Sequence, residues 1–124
     1  VVLGDRVELG THCSVCRGVL GDTRIGDDCK LDNYVHIAHN VVIGKRAFFA
    51  AGSAVAGSTT IGNDFRIGGH SGVNGHIRIC DNVMVAGGSN VHKDIASPGK
   101  YMGVFPARKA KEWVKFMLCS DRAK

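Results

Sequence analysis

Two prolines in 124 residues exclude a proline-rich extended or disordered chain. Aromatic residues make up only 6% of the chain and do not interleave with basic ones, which argues against a nucleic-acid partner. No stretch is long and uncharged enough to read as a transmembrane segment. No basic-then-apolar leader is present, so nothing points to secretion, and the chain opens on Val1 rather than methionine, which suggests a processed chain or a piece of a longer one. A paired set of cysteine motifs is also missing. Cys13-x-x-Cys16 stands alone, and Cys29, Cys80 and Cys119 follow at irregular spacing. Five thiols in that pattern suit a reducing, cytoplasmic compartment better than a disulfide framework or a metal site.

Glycine, by contrast, is abundant at 17 residues, which fits a backbone with many tight corners. The net charge is +5. The excess gathers at the end of the chain, where Lys100, Arg108, Lys109, Lys111, Lys115, Arg122 and Lys124 outnumber Glu112 and Asp121. Such a run usually forms a solvated helix face, and it also suits an acidic partner.

The organising feature is a repeat. From Val19 an apolar residue recurs at every sixth position, through Ile25, Leu31, Ile37, Ile43 and Phe49 as far as Val91. Leu3, Leu9 and Val15 carry the same period upstream, and a four-residue step from Val15 to Val19 shifts the frame once. The residue after the apolar one is usually Gly or Ala, as at Gly26, Ala38, Gly44, Ala56 and Gly62. Six is not a helical period. It fits a short strand followed by a corner, repeated. One apolar residue per unit cannot close a core, whereas stacked units bury a continuous column. The reading is an all-β solenoid over residues 1–95. A connecting loop over 96–106 and a C-terminal helix over 107–120 follow, with Ala110, Trp113, Val114 and Met117 on one face.

Six histidines are candidates for chemistry. His12 and His92 read as structural or merely exposed. His39 lies one 18-residue coil before Gly57, and His76 lies a further coil and one residue on. These three therefore line one solenoid edge over about 10 Å. An imidazole can take a proton from an attacking amine, and a glycine N–H can approach a developing oxyanion. Together they suit acyl transfer from a thioester.

Four segments carry a family resemblance: Ile25-Gly26-Asp27-Asp28-Cys29-Lys30-Leu31-Asp32-Asn33 leading to Ile37-Ala38-His39-Asn40-Val41, then Ala56-Gly57-Ser58-Thr59-Thr60-Ile61-Gly62, Gly75-His76-Ile77-Arg78-Ile79-Cys80-Asp81, and Lys111-Glu112-Trp113 near the end. In this order and spacing the chain resembles, over residues 2–113, the UDP-3-O-acylglucosamine N-acyltransferases of lipid A biosynthesis, which are hexapeptide-repeat enzymes. The resemblance implies a left-handed parallel β-helix with three hexads per coil. It implies transfer of a 3-hydroxyacyl chain from acyl carrier protein to the 2-amine of UDP-3-O-acylglucosamine in the bacterial cytoplasm. The acyl donor would be the phosphopantetheine thioester, with no tightly bound cofactor and no metal. His39 matches the general base, Asp32 its supporting carboxylate, Gly57 the oxyanion N–H and His76 the second histidine. Asn40, His36 and Gly75 would contact substrate. The resemblance also implies a homotrimer with sites between subunits, and a basic tail facing the acidic carrier protein.

There are departures. The family's N-terminal sugar-nucleotide domain is absent from this sequence, the helical ending is short, Cys16 stands where Asp is usual, and His36 stands where Gln is common. Three rivals remain at this point: a zinc β-helix carbonic anhydrase drawing on His36, His39, His70 and His76, an acetyl-coenzyme A-dependent acetyltransferase, and an inactive scaffold.

Overall fold

The computed structural model describes residues 1–122, and Lys124 of the basic tail lies outside them. The chain is a left-handed parallel β-helix followed by one short helix. The first coil holds β1 (Val2–Leu3), β2 (Glu8–Leu9) and β3 (Ser14–Val15), and the second β4 (Arg24–Ile25), β5 (Lys30–Leu31) and β6 (His36–Ile37). The third holds β7 (Val42–Ile43), β8 (Phe48–Phe49) and β9 (Ala54–Val55), and the fourth β10 (Thr60–Ile61), β11 (Arg66–Ile67) and β12 (Gly72–Val73). The fifth holds β13 (Arg78–Ile79), β14 (Val83–Val85) and β15 (Asn90–Val91), after which β16 (Gly99–Tyr101) begins a sixth. Strands of equal rank stack in parallel register to give three sheets, one per face of a triangular prism.

Each hexad spends its residues the same way. The second strand residue points inward, and Ile25, Leu31, Ile37, Ile43, Phe49, Val55, Ile61 and Ile67 are all buried. Each such side chain contributes roughly 1.5–3 kcal/mol on burial. The third corner residue sits in the left-handed region, with φ between 52° and 73° from Arg6, His12 and Asp28 through to Gly88. Most of these residues are not glycine, and the conformation costs each about 1–2 kcal/mol. The return is largely regular: beyond the first coil the N–H of most of them donates to a carbonyl of the coil before, as Ser58 does to His39 and Asp64 to Lys45. Corner residues that turn inward are small or apolar, and the polar ones are satisfied. Thr59 Oγ1 donates to the Asn74 carbonyl at 2.6 Å and Ser71 Oγ to that of Ala86 at 3.0 Å.

Three sequence expectations need correcting. Val19 does not begin the inward column. It is 81% exposed and Leu20 89% exposed, on an excursion over residues 16–22 that leaves the prism and returns at Thr23. Leu3 pairs with Ile25, so the column runs from Leu3, Leu9 and Val15 directly to Ile25 across an insertion of four residues. The stretch 96–106 is not only a loop, because β16 pairs with β14 through Val83–Gly99 to Val85–Tyr101. The helix α1 (Ala110–Arg122) begins three residues later than the pattern suggests. It docks through Trp113 and Phe116 on Phe105, with ring centroids 5.1 and 5.5 Å from Phe105, while Val114 stays exposed. The guanidinium of Arg108 lies over the Phe116 ring at 4.3 Å. No helix among the described residues is long and apolar enough to cross a membrane.

Candidate active site

The three edges of the prism differ in chemistry. The edge from the β1 sheet to the β2 sheet is a charge ladder. Arg6 holds Asp28 through two contacts of 2.7 and 3.2 Å, and Arg46 holds Asp64 at 2.8 and 3.0 Å. Those guanidiniums hold both carboxyls below the usual carboxylate range, chiefly through the hydrogen bonds they donate. The second edge carries Asp32, Tyr34 stacked on His12 at 5.2 Å, and His70 lying over Gly52.

The third edge gathers His39, Asn40, Gly57, Gly75 and His76, because positions 38–41, 56–59 and 74–77 are the same corner in successive coils. His39 sits directly over Gly57. A Cβ on Gly57 would stand 2.5 Å from both Cε1 and Nε2 of the imidazole. The glycine is therefore needed sterically, since the imidazole occupies the space a side chain would fill. One residue further, the His76 N–H donates to the Gly57 carbonyl at 3.0 Å.

The amide at Gly57 differs from four at other corners, where the N–H of the second corner residue is taken by an Asn or Asp side chain of the next coil. Asn63 Oδ1 accepts from Lys45, Asp81 Oδ1 from Asn63, Asp27 Oδ1 from Asp5 and Asn33 Oδ1 from Thr11. Over Gly57 the corresponding residue is Gly75, which has no side chain to offer. A backbone donor thus stands beside the His39 imidazole with no acceptor supplied by the coil beyond it. This was open to sequence reading, since Gly75 stands one coil beyond Gly57 where the first edge has Asn63 one coil beyond Lys45.

His36 is placed differently. It projects from the outer face of β6 at one end of a shallow groove of about 360 Å³ floored by Ala54, Ala56, Gly57 and Gly72, with Asn90 at the other end. Strand residues this small keep the sheet face open beside the His39 corner. Asp32 is not brought to His39 within one chain. It follows β5 at the second edge, where its Oδ1 accepts the Asn33 N–H at 2.7 Å. His70 also belongs to the second edge, and among the described residues no three His, Cys, Asp or Glu side chains converge on a common point. Cys13 and Cys16 are not disulfide-bonded, and the Cys13 thiol lies 2.9 Å from the Asp32 carbonyl.

Comparison with known proteins places this geometry. Residues 22–57 match the bacterial transferase hexapeptide family, six repeats. The UDP-3-O-acylglucosamine N-acyltransferase of Bordetella pertussis is 46% identical over 113 residues, covering 91% of this chain and 31% of that protein. That of Methylobacterium nodulans is 43% identical over 122 residues, covering 98% and 34%. Among solved structures, LpxA from Acinetobacter baumannii superposes with a TM-score of 0.79 at 31% identity, covering 82% of this chain and 41% of that one. The UDP-N-acetylglucosamine acyltransferase from Campylobacter jejuni does so at 0.61 and 27%, covering 73% and 40%. The chain thus spans about a third of the length of the curated relatives it matches.

Proposed function

We propose that this hexapeptide-repeat chain, similar over nine-tenths of its length to the UDP-3-O-acylglucosamine N-acyltransferases, carries the acyl-transfer centre of such an enzyme. The observation that carries the reading is the pairing of His39 with Gly57: a candidate base and a donor left uncovered by Gly75, side by side on one edge. The reaction is transfer of a 3-hydroxyacyl group from the phosphopantetheine thioester of acyl carrier protein to the 2-amine of UDP-3-O-acylglucosamine, a step of lipid A biosynthesis.

In this reading the amine nitrogen attacks the thioester carbonyl while His39 Nε2 takes its proton. The carbonyl oxygen becomes an oxyanion and accepts from the Gly57 N–H. Removing one such donor typically costs a factor of about 10² or more in turnover. Collapse of the intermediate breaks the carbon–sulfur bond, and the departing thiolate takes the proton that His39 removed from the amine, with His76 one coil and one residue beyond Gly57 on the same edge. The groove beside His36 receives the acyl chain against small side chains. Ala38, Gly57 and Asn74 border it at the corner.

Asp32 can support His39 only across a subunit boundary, through its charge on the protonated ring, since the two stand on different edges of one prism. The proposal therefore includes a homotrimer with the centre shared between copies. The basic face of α1 and the chain before it suits the acidic surface of a carrier protein.

The test is single-turnover N-acylation with purified chain, 3-hydroxyacyl carrier protein and UDP-3-O-acylglucosamine, alongside sedimentation of the same sample. Amide product that survives chelation and is lost in His39→Ala supports the reading. A folded trimer that forms no product, or a product indifferent to His39→Ala, overturns it.

A further inference from the structure

The excursion over 16–22, where the six-residue period slips, wraps around the residue next to His39. Asn40 makes four side-chain contacts there. Its Nδ2 donates to the carbonyls of Leu20 at 2.8 Å and Gly21 at 3.4 Å. Its Oδ1 accepts the Val19 N–H at 3.1 Å and lies 3.2 Å from His39 Nδ1.

The two ends of a carboxamide are hard to tell apart by shape, so their assignment rests on partners of known polarity. Here the polarity is unambiguous. A backbone carbonyl can only accept, so the end facing Leu20 and Gly21 is the NH2. A backbone N–H can only donate, so the end facing Val19 is the oxygen. That same oxygen faces His39, so Nδ1 of the imidazole must carry the proton. Nε2 is then the unprotonated nitrogen, and it is the one lying over Gly57.

The excursion is built for this contact. Gly21 adopts φ 86°, and a Cβ on Gly18 would collide with both the Gly21 carbonyl and Asn40 Nδ2. The Asn40 backbone is fixed as well, because its N–H donates at 2.8 Å to Oγ1 of Thr23, a residue with 0% exposure. With both acceptor sites of Oδ1 and both donors of Nδ2 occupied, the carboxamide has little left to offer a substrate.

We infer that Asn40 is a positioning residue that locks His39 in the Nδ1–H tautomer, and that the four-residue excursion exists to orient the Asn40 carboxamide. The function assigned to the tautomer rests on His39 being the base, but the tautomer itself does not.

The experiment reads ring nitrogens rather than turnover. The full chain is labelled with 15N-histidine and long-range proton–nitrogen correlations are recorded at a pH where His39 is neutral, with His39→Gln assigning the signals. The wild-type chain should give a protonated Nδ1 and a bare Nε2. Asn40→Ala should lower the Nδ1–H to Nε2–H ratio about fivefold, the amount one net hydrogen bond supplies. Asn40→Asp keeps an acceptor toward Nδ1 and should retain the Nδ1–H form, even though it frees the excursion. A wild-type chain with Nε2 protonated overturns the inference whether or not any variant folds. So does a folded Asn40→Ala chain with an unchanged ratio. Loss of acyl transfer in the separate turnover assay, with the tautomer pattern intact, would instead remove the catalytic reading and leave this one standing.

Discussion

The His39 imidazole stands where a Cβ on Gly57 would be, 2.5 Å from it. The two residues are thus coupled by volume, independently of any hydrogen bond. Gly57→Ala should push the imidazole off the edge. Because His39 is exposed, the ring can swing outward without disturbing the core. The unfolding free energy should move by no more than about 0.5 kcal/mol. Turnover should fall about a hundredfold, the scale of loss for a misplaced reacting group. Stopped N-acylation assays and denaturant melts on the same variant separate the two effects.

Cys29 and Cys119 should differ sharply toward an alkylating reagent. Cys29 is fully buried, its thiol donating to the Gly44 carbonyl at 3.1 Å, and burial pushes its pKa up, so the reactive thiolate is suppressed. Cys119 is exposed on the terminal helix. Iodoacetamide followed by peptide mass mapping should modify Cys119 in the folded chain and Cys29 only after unfolding. Equal labelling would mean that the third coil does not close over Cys29 as described.

Much of this architecture can be read in the sequence, for a physical reason. Each hexad sends one strand residue and one corner residue inward, and the strand residue is apolar in coil after coil, so one apolar residue every sixth place directly records that column of the core. Ile25 to Val91 follows it without exception. Val19 misleads because an apolar side chain on an excursion satisfies the same period as one inside, and only the pairing of Leu3 with Ile25 reveals the four inserted residues. β16 escapes because its coil is two residues short: Tyr101 packs against the core in register with Val85, sixteen residues on, where counting in sixes points to 97 and 103. The shared edge of His39, Gly57 and His76 follows from counting in eighteens. The separation of Asp32 from His39 does not show in a family motif, which lists residues without saying which edge, or which copy, each belongs to.

The Arg6–Asp28 and Arg46–Asp64 contacts give the first edge a distinct response to acid. Both carboxyls have folded values below their ordinary one, near 4. A depressed carboxyl pKa adds stability that is fully present above the ordinary value. That stability is lost as pH falls through the folded value. Melting temperature should therefore drop between about pH 4 and the lower folded values. The double variant Asp28→Asn, Asp64→Asn should show a shallower drop over the same window. Because all four side chains are substantially exposed, the difference should shrink in high salt. An acid limb identical in the wild type and the double variant would mean these contacts do not persist in solution.

Gly75→Asn offers the sharpest separation of fold from chemistry. At the first edge, Asn63 turns back to accept the Lys45 N–H at 2.8 Å, so an Asn in this corner position is a normal part of the solenoid. Placed at 75, the same side chain stands over the Gly57 N–H and supplies the acceptor that Gly75 withholds. Its Cβ would lie 2.9 Å from the Gly57 carbonyl oxygen, so the corner must open by a few tenths of an ångström. The new hydrogen bond returns about 1 kcal/mol against that strain. Thermal stability should thus stay within a few degrees of the wild type. Acyl transfer should nevertheless fall about a hundredfold, because the donor proposed for the oxyanion is then already occupied. Gly75→Ala carries the same Cβ without the acceptor and should lose far less. If the two variants lose activity equally, the effect is steric, and the Gly57 amide is not the group that meets the developing charge.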